Sequence, residues 1–373
     1  MASTMDAPRP DRLPAAPEHT MVVIPNMFQS FVVANPLIHP DHKLVRKTSE
    51  DWISTFCKFS EKKRLQISKC NFSLFCAISA PYAPRRRFRT LCDWGNWVFP
   101  YDDMFDNGEL KDKPQQSQQM MNRLMAPMLC TSYSTEGREA ILRVHDLVFE
   151  QLSQEYRRNI VQYPGVPQMF TYSALIHVED QFAERRPTLE EMVLTRRESA
   201  GVSPLYHLVE YAHDLHVPEE AFNNPLVQEL EILGMDLIAM SVAHVCLVWV
   251  SITDLESSSN DIISYIKEER EGVKHNMVAI CRLNGMTAQE AFDEVGSLLQ
   301  SRFDRWEAVE DSLERSCWSN NENVQQYVTG IKSVVQANIS WSFKSERYFG
   351  PRAEEVRRTR RIQVLLQPPY LME

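Results

Sequence analysis

Apolar side chains recur at helical spacing along nearly the whole chain, which leaves little room for a fold built on a sheet. Ile141, Val144, Leu147, Val148 and Leu152 would share one face of a helix. Leu226, Leu230, Leu233 and Leu237 mark another, running to Met240-Ser241. Ala288 to Gln300 and Asn323 to Phe343 read as two more long helices. Pro187 before Thr188-Leu-Glu190-Glu191 reads as a loop entering a capped helix. Pro164, Pro167, Pro204, Pro218 and Pro225 punctuate the pattern, there are only 11 glycines, and strand-like alternation is rare. With 373 residues, 43% of them apolar, the chain can close one large all-α bundle with a sizeable core.

Composition narrows the partners. No run of 18 apolar residues exists, so no membrane span is expected. A net charge of −10 argues against nucleic acid as a partner. Met1 to Thr20 is rich in Pro, Ala and charge and lacks the apolar centre of a signal peptide, so it reads as a disordered tail. The eight cysteines are scattered without paired spacing, which suits free thiols and a cytoplasmic location.

Two oxygen-rich stretches carry the chemistry. In Phe99-Pro-Tyr-Asp102-Asp103-Met-Phe-Asp106, helical geometry puts Asp102 and Asp106 one turn apart on the same face. Carboxylates so placed repel each other unless a divalent cation sits between them, and oxygen ligands at this spacing suit Mg²⁺ shared with substrate phosphates. The same residues would also serve as an acidic turn favoured by a helix dipole. Far downstream, Asn260-Asp261-Ile-Ile-Ser264-Tyr-Ile-Lys267-Glu268 would align Asn260, Ser264 and Glu268 in one stripe, with Ile262, Ile263 and Ile266 turned to the core. By itself that stripe reads better as a helix capped by Asn260 with a solvated edge of Lys267 and Glu268. Both stretches in this order are far more specific than either.

Together they resemble the class I terpene synthases, and within them the microbial, mainly fungal, sesquiterpene cyclases. Asp102-Asp103-Met-Phe-Asp106 is similar to the family's aspartate-rich motif, and Asn260 to Glu268 matches its second metal motif at every defining position. Arg347-Tyr348 resembles the pair that hydrogen-bonds the diphosphate. Arg197, four residues before Gly201, resembles the diphosphate-sensing arginine ahead of a helix break. The resemblance spans roughly residues 21–350, which leaves 1–20 and 351–373 as tails.

The resemblance implies a single-domain helical bundle around a central apolar cavity, and Mg²⁺-dependent ionisation and cyclisation of a linear isoprenyl diphosphate, with farnesyl diphosphate favoured. Asp102, Asp106, Asn260, Ser264 and Glu268 are the implied ligands of three Mg²⁺ ions. Arg197, Lys267, Arg347 and Tyr348 are the implied diphosphate-binding and catalytic groups, with Asp103 supporting the arginines. Aromatic faces attract cations, and Phe75, Phe99 and Trp341 are the candidates to line the cavity, ahead of Trp94 and Trp97. Phe99 lies three residues before Asp102. Trp341 lies six before Arg347, on what reads as the same helix. Ordinary core packing would place the same aromatics. Monomer and homodimer both fit. The alternatives are a chain-elongating prenyltransferase, which would need a second Asp-Asp-x-x-Asp motif, and an inactive helical protein of the same fold.

That last alternative arises from one segment. Val242 to Ser259 interrupts the helical pattern; excising these 18 residues joins Ser241 to Asn260 and brings Ile262, Ile263 and Ile266 into phase with Leu237 and Ser241. Eighteen codons are 54 nucleotides, about the size of a short fungal intron, so the segment reads as an intron translated in frame. A genuine loop insertion, or a buried β-like segment over Val245 to Ile252, is the rival reading.

Overall fold

The computed structural model describes residues 18–106, 110, 113–127, 136–155, 187–199, 202–241, 261–272, 274 and 276–372, and these are overwhelmingly helical. The N-terminal half supplies α1 (His42–Phe56), α2 (Glu61–Cys70), α3 (Phe72–Ser79), α4 (Arg85–Asp106), α5 (Pro114–Met125) and α6 (Ala140–Glu155). Then come α7 (Leu189–Ser199), α8 (Ser203–His213), the single turn α9 (Glu219–Phe222) and α10 (Pro225–Ser241). The last group is α11 (Tyr265–Glu271), α12 (Met277–Leu283), α13 (Ala288–Glu314), α14 (Glu322–Ser342) and α15 (Ala353–Thr359). The segment 242–260, which contains the interrupting stretch and Asn260, lies outside the described residues.

Local sequence explains most starts. Thr188 and Glu191 hydrogen-bond reciprocally (2.8 and 3.2 Å) at the head of α7, and Thr287 with Glu290 forms the same box ahead of α13. Along α13, Val295, Leu299, Phe303, Trp306, Val309 and Leu313 are buried at three- and four-residue intervals, the stripe that turns a helix toward a core. α10 packs on α13 and α14, α3 on α14 and α4, and α4 on α1 and α6. At Gly95 on α4, a Cβ would stand 2.3 Å from the Phe72 ring, so only glycine lets α4 approach α3 this closely.

The ends of the chain depart from the sequence reading. His19–Val23 (β1) and Arg361–Leu365 (β2) pair as a two-stranded antiparallel sheet, His19 opposite Leu365 and Val23 opposite Arg361. Gln289 ties β1 to α13 by accepting from the Val23 N–H (2.8 Å) and donating to its carbonyl (3.0 Å). Residues 351–372 are therefore part of the packed body rather than a tail, with Ile362, Val364 and Tyr370 buried. The alternation over five residues is too short to stand out in sequence, and its partner is at the far end of the chain. Among the described residues, no helix is long and apolar enough to cross a membrane. The described cysteines are unbridged.

Candidate active site

α4 delivers the first acidic motif. The helix runs unbroken to Asp106 although Pro100 removes one backbone donor, so positions 102 and 106 fall one turn apart on one face, as the spacing predicts. The helix is anchored just upstream. The Asn96 amide donates to the Ser49 and Ser73 hydroxyls (2.9 and 3.3 Å), and the Trp97 indole donates to the Ile141 carbonyl (2.8 Å). Trp97 thus serves packing, stacked on Tyr101. The side chains of Phe99, Asp102, Asp103 and Asp106 lie outside the described set.

The second motif is partly described: Asn260, the Lys267 side chain and Gly201 are outside, while Ser264 and Glu268 are inside. The Glu268 N–H donates to the Ser264 carbonyl at 3.1 Å, so the two share one helical face. Both are fully buried. Asn276 donates to Glu268 Oε2 (2.7 Å) and to the Asp261 carbonyl (3.1 Å). The other oxygen, Oε1, has no hydrogen bond of good geometry among the described residues. Burial pushes the Glu268 carboxyl up to about 8; the nearby Asp261 charge pushes the same way, against Ser264, Arg196 and Asn276. Asp261, also fully buried, is raised to about 6 by burial, and Arg196 opposes that from 3.5 Å. Two buried carboxyls facing one guanidinium are under-compensated. An additional cation would relieve them, and a hydroxyl plus carboxylates is an oxygen donor set that fits Mg²⁺.

The C-terminal pair meets this face. Tyr348 is raised by burial, with Arg347 pulling its pKa down and the Glu268 charge pushing it up, so Arg347, Tyr348 and Glu268 are electrostatic neighbours. Tyr348 meets the Trp341 ring edge-on at 6.1 Å, and Trp341 meets Phe75 and Phe72 edge-on at 6.3 and 5.4 Å. The Trp341 indole N–H is held by the Cys70 carbonyl at 2.7 Å. Phe75 and Trp341 thus form one aromatic wall running to Tyr348. One expectation is corrected: Trp341 and Arg347 are not on the same helix, because α14 ends at Ser342. The Ser345 N–H turns back to the Trp341 carbonyl (2.7 Å), which closes the helix and lets the following strand of residues swing Tyr348 across Trp341.

The arginines divide unexpectedly. Arg197 donates through Nε and Nη2 to the two oxygens of buried Asp236 (2.5 and 2.7 Å), which also accepts from Arg302 (2.8 Å). Its neighbour Arg196 turns inward to Asp261, beside Glu268. The structure therefore brings Arg196, rather than Arg197, to the second motif.

Comparison with known proteins identifies the family. The model of terpene synthase family 2, C-terminal metal binding, matches residues 93–241 and 247–305, more than half of the chain. Silphinene synthase of Penicillium patulum is 32% identical, over 93% of this chain and 90% of that protein. The chain belongs to the terpene synthase family. Sesquiterpene synthase 3 of Postia placenta is similar at 26% identity, over 94% of this chain and 90% of its own length. The crystal structure of a-eudesmol synthase shares the fold, with a TM-score of 0.68 over 84% of this chain and 97% of that one, at 18% identity. As a terpene synthase, this enzyme is a lyase that cyclises a prenyl diphosphate, and it carries the family's metal-binding domain. The family match is interrupted over 242–246 and resumes at 247.

Asp261, Arg196 and Asn276 escaped the sequence reading of this terpene synthase. Asp261 sits inside the second motif yet points off its stripe, and Arg196 was overlooked beside Arg197. A signal existed for Asn276: an Asn immediately before Met277-Val-Ala-Ile is a helix cap, and its Oδ1 does accept from the Val278 and Ala279 N–H groups.

Proposed function

We propose that this terpene synthase ionises farnesyl diphosphate with Mg²⁺ and cyclises the resulting cation to a sesquiterpene, releasing diphosphate. The observation that carries the reading is the convergence of buried Ser264 and Glu268 with Tyr348, against the aromatic wall of Trp341 and Phe75. Asp102, Asp106, Asn260, Ser264 and Glu268 are the residues that would hold Mg²⁺, in keeping with the under-compensated carboxyls around α11. When bound, the metal supplies Lewis acidity and charge neutralisation for the diphosphate leaving group.

The chain's own groups do the rest. Arg347 and the Tyr348 hydroxyl, with Lys267 and an arginine from the Arg196-Arg197 pair, donate charge-assisted hydrogen bonds to the departing diphosphate and oppose its recombination with the cation. Trp341 and Phe75, with Phe99 from the sequence reading, would supply aromatic rings that stabilise positive charge while offering no nucleophile. A C15 substrate is supported by the similarity to Sesquiterpene synthase 3. The segment 242–259 is proposed, from the sequence pattern alone, to be an insert foreign to the catalytic fold; the family match is interrupted over 242–246 and resumes at 247.

Incubating the protein with Mg²⁺, farnesyl diphosphate and isopentenyl diphosphate separates the readings. Cyclic C15 hydrocarbon or alcohol with free diphosphate is the expected result. A longer prenyl diphosphate would identify a chain-elongating enzyme instead.

A further inference from the structure

α11 is only seven residues long, Ser264 provides no side-chain cap, and its C-terminus turns out through Gly272 at φ +78°. A helix that short does not hold its own orientation. It carries two adjacent stripes. Ser264 and Glu268 form one; Tyr265 and Glu269, each one residue later and therefore about 100° further round, form the other. The second stripe is gripped by the C-terminal segment. The Tyr265 and Tyr370 hydroxyls lie 2.6 Å apart, and Glu269 accepts the Leu365 N–H at 2.9 Å. Arg282 of α12 closes the arrangement by donating to the Tyr265 hydroxyl (2.6 Å), the Leu365 carbonyl (3.0 Å) and the Leu366 carbonyl (2.8 Å). Tyr265, Glu269, Arg282 and Tyr370 are all buried, and the gripping segment is itself fixed by the β1–β2 pairing.

We propose that the C-terminal segment 361–372 sets the rotational register of α11, so that Tyr370, through Tyr265, is a positioning residue that keeps Ser264 and Glu268 aimed into the metal site. This rests on the reading of Ser264 and Glu268 as metal ligands. Asn276 steadies Glu268 directly on its own side; the tail steadies the helix from behind. A one-residue rotation of α11 would exchange the stripes, turning Tyr265 and Glu269 toward the site.

The test uses the full chain with Tyr370→Phe, Tyr265→Phe and the double variant, each retaining its ring packing. Hydrogen exchange of the 265–271 amides, calorimetric binding of Mg²⁺ with inorganic diphosphate, and the Mg²⁺ concentration giving half-maximal turnover are the readouts. Each single variant is expected to speed exchange across 265–271 and raise the Mg²⁺ requirement about tenfold, as loss of a partner behind a metal ligand does. Turnover at saturating Mg²⁺ should be largely restored. The double variant should be no worse than Tyr265→Phe alone, because that variant already removes the shared bond along with the acceptor for Arg282. Tyr327→Phe, which removes a buried hydroxyl bonded to Glu231, should leave the Mg²⁺ requirement unchanged. An unaltered Mg²⁺ requirement in both single variants overturns the inference, whether or not exchange accelerates. So does a Tyr327→Phe shift of equal size. Failure of the wild-type chain to convert farnesyl diphosphate would instead count against the proposed reaction, while diphosphate calorimetry and exchange still report on the clamp.

Discussion

The helices that carry the two metal motifs are built in opposite ways. α4 is 22 residues long, packs along α1, α3 and α6, and presents positions 102 and 106 at the end of a continuous rod. α11 is seven residues long and takes its place from contacts remote in sequence: Tyr370, 105 residues away, Leu365, 96 away, and Arg282 on the following helix. One site is positioned by local helix propagation and side-to-side packing. The other is positioned by the closing of the chain ends. A defect in the termini should therefore impair the second motif and spare the first.

The largest effects fall where the two halves are equal. Asp102→Ala and Glu268→Ala should each reduce turnover on the order of 10³-fold or more, because each deletes a proposed cation ligand. Circular dichroism should show the helical content retained in both. Wild-type-like product formation by either at ordinary Mg²⁺ would remove that motif from the site altogether.

Next come the arginines. Arg347→Ala should lower turnover by one to several powers of ten, since a desolvated charge-assisted pair is worth roughly 2–5 kcal/mol. Arg197→Ala, which leaves buried Asp236 with Arg302 as a remaining partner, is expected to lower turnover similarly. Arg196→Ala differs in kind. It strands the buried Asp261 carboxylate, a loss of about 3–5 kcal/mol, and should lower the melting temperature before substrate is added. Calorimetry with inorganic diphosphate and Mg²⁺, alongside thermal melts, distinguishes the three. Full diphosphate binding by both Arg347→Ala and Arg197→Ala would tell against the clamp.

The smallest effect sharpens the contrast from the α4 side. Gly95→Ala puts a methyl group within 2.3 Å of the Phe72 ring, and overpacking of this kind costs about 1–3 kcal/mol. Thermal stability should fall, while the Mg²⁺ concentration for half-maximal turnover stays near the wild-type value. A Mg²⁺ shift as large as that of Tyr370→Phe would mean that the two helices are not held independently.

Legibility in the sequence followed range. α10 and α14 were readable to within a residue or two of their ends, because amphipathic spacing and caps are local signals. The Ser264–Glu268 stripe was equally readable, since i,i+4 spacing needs only a helix. That Arg347 lies off α14 was not, because Phe343-Lys344-Ser345 can continue a helix and only the tertiary course of 343–349 carries the chain away from it. Neither the β1–β2 pairing nor the Tyr265–Tyr370 contact had any local signature. The spacing to Gly201 singles out Arg197, and only the partners, Asp261 for Arg196 and Asp236 for Arg197, show that Arg196 is the one beside the second motif.

The most direct measurement compares the full chain with a variant lacking Val242 to Ser259, both given Mg²⁺ and farnesyl diphosphate, with products read by gas chromatography. Deletion would let α10 run on from Ser241 into the second motif and give that helix the continuity α4 already has. A variant at least as stable as the full chain, forming a cyclic sesquiterpene distinctly faster, is the expected result. Cyclisation by the full chain alongside a dead deletion variant would contradict the reading of 242–259 as foreign, and the absence of any cyclic product from both would contradict the proposed reaction itself.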